Sequence, residues 1–391
     1  MTLHSQFTAA DRDRADWDAL NQHKLNDLLA YSAKKSGRSV LQIGREFTQM
    51  SKSDRKISIG EFVRWGLYDP TRHSPEIRET FISNAIHWPI THTCNNNAWN
   101  GAAEDKVLAS TILSAGGVAV PETVAVIDKT ARIFPGIVKI SSPEALRDLI
   151  LGLGTAELFG KMVDGMVSFG AFSVESADKT HITCVGQDPM TYSQFLSEFI
   201  GDNSYMIQKR LKNHAEIDKY STALATVRTV NLVKKDGIRS PISIISLPQG
   251  NNVADTLWRH GNLACEVDVE SGRILTMVRN NGCEIEFLDD HPSIPGLMGL
   301  VLPHWDKLRE VNRRAAEIFA PIRYQSTDIG ITQDGPVVVE LNYGSGFGLP
   351  QNASGRGLLT QEVREFFEEC GYTFGQTDKK KKSGFSFFGR G

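Results

Sequence analysis

The segment "DIGITQDGPVVVELNYGSG", residues 328–346, combines two apolar strands with three polar side chains. The three valines at 337–339 are typical of a buried strand, yet they lead directly into Glu340 and Asn342. Residues two apart on a strand project from the same face, so we expect these two side chains to lie side by side. Because burying an ionised carboxylate without a partner costs several kcal/mol, the segment predicts a β-hairpin that carries a polar site.

The connection between the two strands decides which side chain faces Glu340. We predict a three-residue hairpin loop at 333–335, with Gly335 in the left-handed conformation. Thr332 would then pair with Pro336, and Asp328 would lie opposite Glu340. A two-residue turn would instead place Asp328 on the other face of the hairpin.

Asp328, Glu340 and Asn342 would together form an incomplete shell of hard oxygen ligands. Such a shell suits Mg²⁺, whose remaining positions are filled by waters and substrate phosphates. The alternative is a pair of acids at a solvated strand end. The glycine-rich stretch at 343–357 would let backbone N–H groups approach an anion.

Length and composition limit the class of protein. A chain of 391 residues suggests two or three domains, or one bilobed enzyme with an appendage. The net charge of −3 argues against a nucleic-acid partner. The five cysteines are scattered without a CxxC pair, which is typical of reduced thiols in the cytoplasm. A polar start without a signal peptide, and apolar runs too short to form a transmembrane segment, agree with a cytoplasmic protein.

The chain divides into three parts by its patterning. Residues 1–95 are predicted to be helical, with helices at 16–37, 39–52 and 59–69. Residues 96–372 are predicted to form an α+β body, because short β runs alternate with helices. The end, 373–391, carries four successive lysines and several phenylalanines and predicts a disordered tail. A membrane or partner contact through this tail is the alternative. Within the body, strands are predicted at 157–163, 170–175, 205–211, 224–234, 242–247, 263–269, 273–278, 327–332 and 336–341, and a helix at 303–319.

Two cations could hold the phosphates that a magnesium site requires. Lys161 ends a predicted strand, and Gly165 and Gly170 then mark a flexible connection to the next strand. The pattern is neither a Walker P-loop nor a GxGxxG fingerprint, so an ordinary hairpin with an exposed lysine is the alternative. Arg228 alternates with apolar neighbours in another strand. Such an arginine pairs with a carboxylate or clamps a phosphate.

Taken in order, these segments resemble the ATP-grasp superfamily, most closely its sugar-transfer-associated branch. The similarity begins at "EDKVLASTILSAGGVAVPET" (104–123) and continues through Lys161 and "YMIQKRLKNHAEIDKYS" (205–221). It then runs through "ATVRTVNLV" (225–233) to the D…E-x-N hairpin. It covers roughly residues 100–372. The segment "NNVADTLWRHGN" (251–262) has no clear counterpart, and Gln208 stands where many members have an acidic residue.

The resemblance implies two α+β lobes that grip ATP, with a smaller lobe at about 155–207 and a C-terminal lobe at 208–372. It implies that Lys106 and Lys161 contact the nucleotide phosphates and that Arg228 faces the reacting phosphate. It also implies that Asp328, Glu340 and Asn342 hold Mg²⁺, with two ions expected. The remaining implied nucleotide contacts are Gln208, Lys209, Arg210 and Leu211 at an adenine-reading hinge, and His214 or Glu216 near the ribose.

The implied activity is that of an ATP- and Mg²⁺-dependent, ADP-forming carboxylate–amine ligase. Its substrates would be a small-molecule carboxylate, activated as an acyl phosphate, and an amine or similar nucleophile. The hairpin 162–172 would act as a lid that shields the acyl phosphate from water. One alternative is a kinase on the same scaffold. The other is a non-catalytic module that binds nucleotide, or none, and serves a partner through the N-terminal helices or the tail.

Overall fold

The computed structural model describes residues 7–22, 24–154 and 157–375. The tail predicted at 373–391 lies almost entirely outside these residues. The α-helices of the described residues are α1 (Ala9–Asn21), α2 (Leu25–Ser36), α3 (Val40–Lys52), α4 (Ile59–Arg64), α5 (Pro75–Arg78), α6 (His87–Cys94), α7 (Asn100–Glu104), α8 (Lys106–Ala115), α9 (Pro143–Leu153), α10 (Tyr192–Gln194), α11 (Ala215–Asp218), α12 (Trp305–Ile318), α13 (Gly348–Ser354) and α14 (Gln361–Glu369). The strands are β1 (Thr123–Ile127), β2 (Val138–Ile140), β3 (Leu158–Met162), β4 (Phe172–Ala177), β5 (His181–Cys184), β6 (Met190–Thr191), β7 (Tyr205–Lys209), β8 (Thr226–Lys234), β9 (Gly237–Leu247), β10 (Leu263–Val267), β11 (Val278–Asn281), β12 (Glu284–Phe287), β13 (Tyr324–Thr332) and β14 (Gly335–Asn342).

The N-terminal helices differ partly from the prediction. The single helix predicted at 16–37 is wrong, because the structure has two helices there, α1 and α2. Helix α1 begins at Ala9, directly after a capping box in which the Thr8 side chain accepts a hydrogen bond from the Asp11 N–H. The helix predicted at 39–52 is confirmed as α3. The one predicted at 59–69 is shorter, since α4 ends at Arg64.

The smaller lobe is built on a seven-stranded sheet in the order β2-β1-β7-β3-β4-β5-β6. Only β1 and β2 pair in parallel, and the other neighbours are antiparallel. Strands β1 and β2 precede the range 155–207 that the sequence predicted for this lobe. Leu158, Phe172 and Tyr205 lie in its core, and Ala9 of α1 joins the same cluster.

The larger lobe is built on a second seven-stranded sheet, β12-β11-β10-β9-β8-β13-β14, in which every pair is antiparallel. Helix α12, which confirms the helix predicted at 303–319, packs Leu308 and Ala315 into one core cluster. Phe347 and Phe367 belong to a second cluster of this lobe. The strand predicted at 273–278 is wrong, because β11 begins only at Val278. The other predicted strands correspond to β3, β4, β7, β8, β9, β10, β13 and β14.

The hairpin loop between β13 and β14 is shorter than predicted. Thr332 pairs with Gly335, so the loop holds two residues, Gln333 and Asp334. The three-residue loop is therefore wrong. A regular ladder continued from this turn would place Asp328 opposite Val339, and Glu340 would project from the other face.

A β-bulge corrects the register before the polar residues are reached. Ile329 pairs with Val338, but Asp328 pairs with Glu340, so Val339 is an extra residue in β14. The predicted pairing of Asp328 with Glu340 is thereby confirmed, although the bulge and not the loop produces it. The bulge also sets the position of the Val339 carbonyl, which contacts the opposite lobe.

The N-terminal region contacts both lobes. Helix α1 packs on the smaller lobe, whereas Lys35 and Tyr68 both bond to Glu284 at the start of β12 in the larger lobe. Ile82 and Ile90 belong to the larger lobe's second core cluster. Within the described part of the chain, no helix is long and apolar enough to cross a membrane.

Candidate active site

A cavity of about 570 Å³ lies between the two lobes. Its walls come from both sheets and from the N-terminal helices. The predicted site residues that line it are Lys106, Lys161, Gln208, Lys209, Arg210, Leu211, Arg228, Asp328, Glu340 and Asn342.

The three predicted metal ligands converge on one face of the hairpin and line this cavity. Asp328 and Glu340 are paired across the hairpin, and the Asn342 side-chain amide donates to Asp328 Oδ2 at 3.1 Å. Residues opposite each other, or two apart, share a face of the sheet, which accounts for the convergence. Asp328 is buried, and Glu340 and Asn342 are half-buried.

Arg228 compensates the charge of Asp328. The two residues are paired across β8 and β13, and the guanidinium donates from Nε at 2.7 Å and from Nη2 at 2.6 Å. Burial disfavours the charged guanidinium and by itself would lower the pKa of Arg228. The adjacent Asp328 carboxylate outweighs burial, so the pKa of Arg228 is raised. This two-pronged bond is the geometry in which arginine binds carboxylate or phosphate most strongly.

Lys106 compensates the negative charge of Glu340. It is the first residue of α8, where the Asp105 carboxylate accepts from two backbone N–H groups of the first turn. Lys106 Nζ lies 3.3 Å from Glu340 Oε1 and donates to the Gly165 carbonyl at 2.5 Å. Burial disfavours the ionised carboxylate, but Lys106, Lys161 and Arg228 together outweigh burial and lower the pKa of Glu340.

Lys161 crosses the cleft from the smaller lobe. It lies on β3 and donates from Nζ to the carbonyl of Val339, the bulge residue, at 2.8 Å. Burial lowers the pKa of Lys161 to about 8, with Lys106 adding to that effect and Glu340 opposing it. Among the described residues, no carboxylate lies within ion-pair distance of Lys161. The bulge instead provides the Val339 carbonyl as its hydrogen-bond acceptor.

The predicted hinge follows β7. Gln208 is buried and donates to the Thr123 hydroxyl at 3.3 Å. The backbone N–H groups of Lys209 and Arg210 donate to the carbonyls of Glu122 and Glu157, at 3.0 Å and 2.9 Å. These two donors are therefore engaged by the protein itself.

His214 and Glu216 are not among the residues that line the cavity. The His214 backbone N–H donates to the Ile331 carbonyl at 2.7 Å, and its ring accepts from Glu216 N–H at the start of α11. Glu216 is exposed. Helix α11 is thus held against the end of β13, and a contact of His214 or Glu216 with the ribose stays a prediction.

Asp255 is an acidic cavity residue that no sequence pattern revealed. It lies in the segment 251–262, for which no counterpart was found, and accepts a hydrogen bond from the Thr226 hydroxyl. Burial and the nearby negative charge of Asp328 raise the pKa of Asp255 to about 6. An aspartate in a polar loop carries no local pattern that would have identified it.

The N-terminal region supplies further cavity residues that the sequence did not reveal. Trp17 and Leu20 of α1 line the cavity, as do Arg64, Asn84 and Trp88. These residues precede the metal ligands by more than two hundred positions, so no local spacing connects them. Only the packing of the N-terminal helices across the cleft brings them to the site.

The residues present fit a magnesium ion by their chemistry. Two carboxylates and one amide oxygen are hard ligands that Mg²⁺ accepts while keeping waters or phosphate oxygens in its other positions. Among the described residues, no group of three or more His, Cys, Asp or Glu is arranged to hold a metal. The candidate set therefore depends on the Asn342 oxygen as its third ligand, and the side-chain amide, whose Nδ2 donates to Asp328 Oδ2 in this structure, would have to turn over to present that oxygen.

Two lobes on separate sheets, with carboxylates and cations facing one cavity between them, agree with the fold that the resemblance implies. The chain belongs to the sugar-transfer-associated ATP-grasp family, whose profile matches residues 90–366. The predicted resemblance and the predicted α+β ATP-grasp fold with an N-terminal helical region are thus confirmed.

Known structures resemble this chain at low identity. An ATP-grasp ligase, PsnB, complexed with a precursor variant, Mg and ADP, is 15% identical, with 71% of this chain and 61% of that chain covered and a TM-score of 0.38. The D-alanine–D-alanine ligase from Coxiella burnetii is 14% identical, with 69% and 57% covered and a TM-score of 0.37. The chain thus spans about three fifths of the length of these two proteins. Comparison with curated proteins found no match.

Proposed function

We propose that this protein is an ATP- and Mg²⁺-dependent, ADP-forming ligase that joins a carboxylate to an amine or similar nucleophile. One observation carries the proposal: Asp328, Glu340 and Asn342 face the same cavity as Lys106, Lys161 and Arg228. That combination suits a nucleotide triphosphate, whose phosphates need both a metal and fixed cations. A carboxylate needs such activation because its leaving group would otherwise be oxide.

In the first step, a carboxylate oxygen of the substrate attacks the γ-phosphorus of ATP. The bond from that phosphorus to the bridging oxygen breaks, and ADP leaves with an acyl phosphate remaining. Lys161 and Arg228 would stabilise the charge on the transferring group, and Lys106 would bind the neighbouring phosphates. Asp328, Glu340 and Asn342 would hold Mg²⁺, which when bound neutralises phosphate charge.

In the second step, the nitrogen of the amine attacks the acyl carbon. The bond from that carbon to the phosphate oxygen breaks, inorganic phosphate leaves, and the proton that the nitrogen loses passes to the departing phosphate. Water must be kept from the acyl phosphate during this step. The segment 163–171 is suited to that role, since Gly165 bonds to Lys106 and the Gly170 N–H donates to Asp13 at 2.8 Å.

The nucleobase would lie along residues 208–211. The N–H groups of Lys209 and Arg210 are already engaged, so the base edge would be read by carbonyls of this segment or by the backbone of Leu211. The resemblance implies nucleotide contacts from all four residues, whereas this expectation excludes the backbone N–H groups of Lys209 and Arg210.

The test compares the wild-type protein with Glu340→Gln. Calorimetry measures the binding of Mg·AMP-PNP, and a coupled assay measures ADP release with mixtures of carboxylates and amines. We expect Glu340→Gln to lower turnover by about a hundredfold or more, because the variant loses a ligand charge at the reacting phosphates. The matched control is Glu310→Gln, an exposed glutamate on α12.

Three outcomes separate the alternatives. Normal ADP release by a folded Glu340→Gln variant would contradict the metal assignment. A stable phosphorylated product, formed without use of the amine, would indicate a kinase. Failure of the wild-type protein to bind Mg·AMP-PNP would indicate a non-catalytic module.

A further inference from the structure

One wall of the cavity carries apolar side chains that the proposed chemistry does not use. Three of them are largely exposed: Leu20 of α1 at 44%, and Met166 and Val167 of the segment 163–171 at 57% and 42%. Together with Trp258, which also lines the cavity, we call these residues the apolar wall. Large apolar side chains left open to solvent inside a cavity are typical of a binding site for an apolar group.

Ring contacts hold the parts of the apolar wall together. Trp17 packs on Phe169 with ring centroids 6.3 Å apart, and Phe169 packs on Trp258 at 5.9 Å. Leu20 follows Trp17 by three residues on α1, and residues at that spacing share a face of a helix. Helix α1, the proposed lid and the loop that carries Trp258 therefore contribute to one surface.

The turn that carries Val167 has an unusual backbone conformation. Val167 and Ser168 have φ angles of 56° and 55°, in the left-handed region that a β-branched residue rarely adopts. The Val167 carbonyl accepts from the Trp258 indole at 3.4 Å, and the Ser168 carbonyl accepts from Arg259 at 3.2 Å. A strained turn persists only where its surroundings impose it, and such turns are common at ligand-binding sites.

The apolar wall begins beside the proposed phosphate site. Gly165, the residue before Met166, accepts at its carbonyl from Lys106 Nζ at 2.5 Å. The same nitrogen lies 3.3 Å from Glu340 Oε1. Lys106 therefore links the start of the apolar wall directly to a proposed metal ligand.

The other side of the apolar wall is connected to the same site. Three residues before Trp258, Asp255 accepts a hydrogen bond from the Thr226 hydroxyl. Thr226 precedes Arg228 by two residues on β8, so their side chains share a face of the sheet. A substrate whose carboxylate reaches the reacting phosphate would thus have the apolar wall beside the remainder of the molecule.

We propose that the carboxylate substrate carries an apolar hydrocarbon group and that this group packs on the apolar wall. The inference rests on the proposed ligase function, because it assigns the substrate's carboxylate to the phosphate site of the same cavity. Hydrocarbon on the wall would also displace water from the surroundings of the acyl phosphate. Leu20 is then a residue that selects the substrate, and α1 is part of the substrate site.

The test titrates the full chain, saturated with Mg·AMP-PNP, with butyrate, hexanoate and octanoate. These probes share one carboxylate and differ only in the length of the hydrocarbon chain. Each methylene that becomes fully buried tightens binding by about fourfold. Because the apolar wall is open on one side, we expect octanoate to bind about tenfold or more tightly than butyrate. Butylamine and octylamine, titrated in the same way, test whether the nucleophile carries the chain instead.

The variants assign this preference to the apolar wall. Leu20→Ser and Met166→Ser should each lower the preference for octanoate over butyrate by about threefold or more, with the affinity for Mg·AMP-PNP unchanged. Leu41→Ser, an exposed leucine on α3 that is not among the residues lining the cavity, should match the wild-type protein. Substitutions of exposed side chains rarely unfold a protein. Thermal unfolding checks each variant, and either of the first two serves if the other is not folded.

Four results would overturn the proposal. They are equal affinities of the wild-type protein for octanoate and butyrate, an undiminished preference in both variants, a dependence on chain length that only the amines show, and an equal loss of affinity for Mg·AMP-PNP in the variants. The last would assign the apolar wall to the nucleotide. If Mg·AMP-PNP does not bind to the wild-type protein, the proposed function fails. The same titrations without nucleotide then still decide whether the apolar wall binds a hydrocarbon chain.

Discussion

Lys161 has a pKa close to neutrality, which makes its charge a pH-dependent part of the site. Burial lowers that pKa to about 8, so the lysine loses its proton as the pH rises through 8. A bound phosphate favours the protonated form, so nucleotide binding above pH 8 requires proton uptake. We expect the affinity for Mg·AMP-PNP to fall by up to about tenfold per pH unit above 8.

Calorimetry between pH 7 and 9.5 checks this expectation, with Lys161→Arg as the control. Arginine keeps its charge throughout this range, so its affinity should stay nearly constant. An equal decline in both proteins would show that another group is responsible.

His87 couples the stability of the fold to pH. It is buried, and burial lowers its pKa from 6.5 to about 4. Between pH 4 and 6.5 the unfolded chain therefore binds more protons than the native one, so stability rises with pH across this window. We expect acidification from 6.5 to 4 to lower the free energy of unfolding by roughly 3 kcal/mol from this residue.

Urea unfolding at several pH values measures the effect. His87→Gln has no titrating group at this position, so its stability should depend less steeply on pH than that of the wild-type protein. Parallel curves for the two proteins would contradict the assignment.

At the scale of elements, the hairpin shows what a sequence can and cannot predict. The alternation of polar and apolar residues correctly places Glu340 and Asn342 on one face. The loop length does not follow from the sequence, because Gly335 suits both a two-residue and a three-residue connection. The bulge at Val339 has no local signature either, since a valine in a strand is expected to pair. The convergence of Glu340 and Asn342 with Asp328 was predicted correctly, but the prediction relied on a three-residue loop. In the structure the bulge at Val339 produces this convergence.

Helix α1 is bonded to the segment proposed as a lid. Asp13 accepts from the Gly170 N–H and from Arg259, both at 2.8 Å. Trp17 packs on Phe169 with ring centroids 6.3 Å apart. We expect Asp13→Ala to loosen the lid and to speed amide exchange across 163–171 by about tenfold or more, since a bond to a charged group is lost.

Hydrogen exchange read by mass spectrometry measures this change. Asp16→Ala, an exposed aspartate on the same helix, is the control and should leave exchange unchanged. Equal exchange in the Asp13→Ala variant and the wild-type protein would mean that α1 does not restrain the segment.

At the scale of the whole molecule, the sequence identifies those site residues that follow a family pattern. Lys106, Lys161 and the hairpin residues belong to that group. Asp255 and Arg64 do not, because each reaches the cavity through tertiary packing and not through spacing along the chain. His214 is the opposite case. It stands where the family pattern predicts a nucleotide contact, yet it is not among the residues that line the cavity.

The N-terminal region shares its core with the larger lobe, which bears on whether 1–95 is a separate unit. Asn95 donates to the Tyr324 carbonyl at 3.1 Å and accepts from the Tyr324 N–H at 2.8 Å. The Gln351 side chain bonds to both backbone groups of Ile82, at 2.9 Å and 2.8 Å. Removal of residues 1–95 would expose this buried surface and leave polar groups in the larger lobe without partners.

We therefore expect the fragment 96–391 to lose the cooperative thermal transition of the full chain. The fragment 23–391, which lacks α1 and the residues that flank it, should keep that transition, because the contacts of Asn95 and Ile82 remain. Calorimetry of the three proteins makes the comparison. A cooperative transition of 96–391 at an unchanged midpoint would mean that the N-terminal region is an appendage that the two lobes do not need in order to fold.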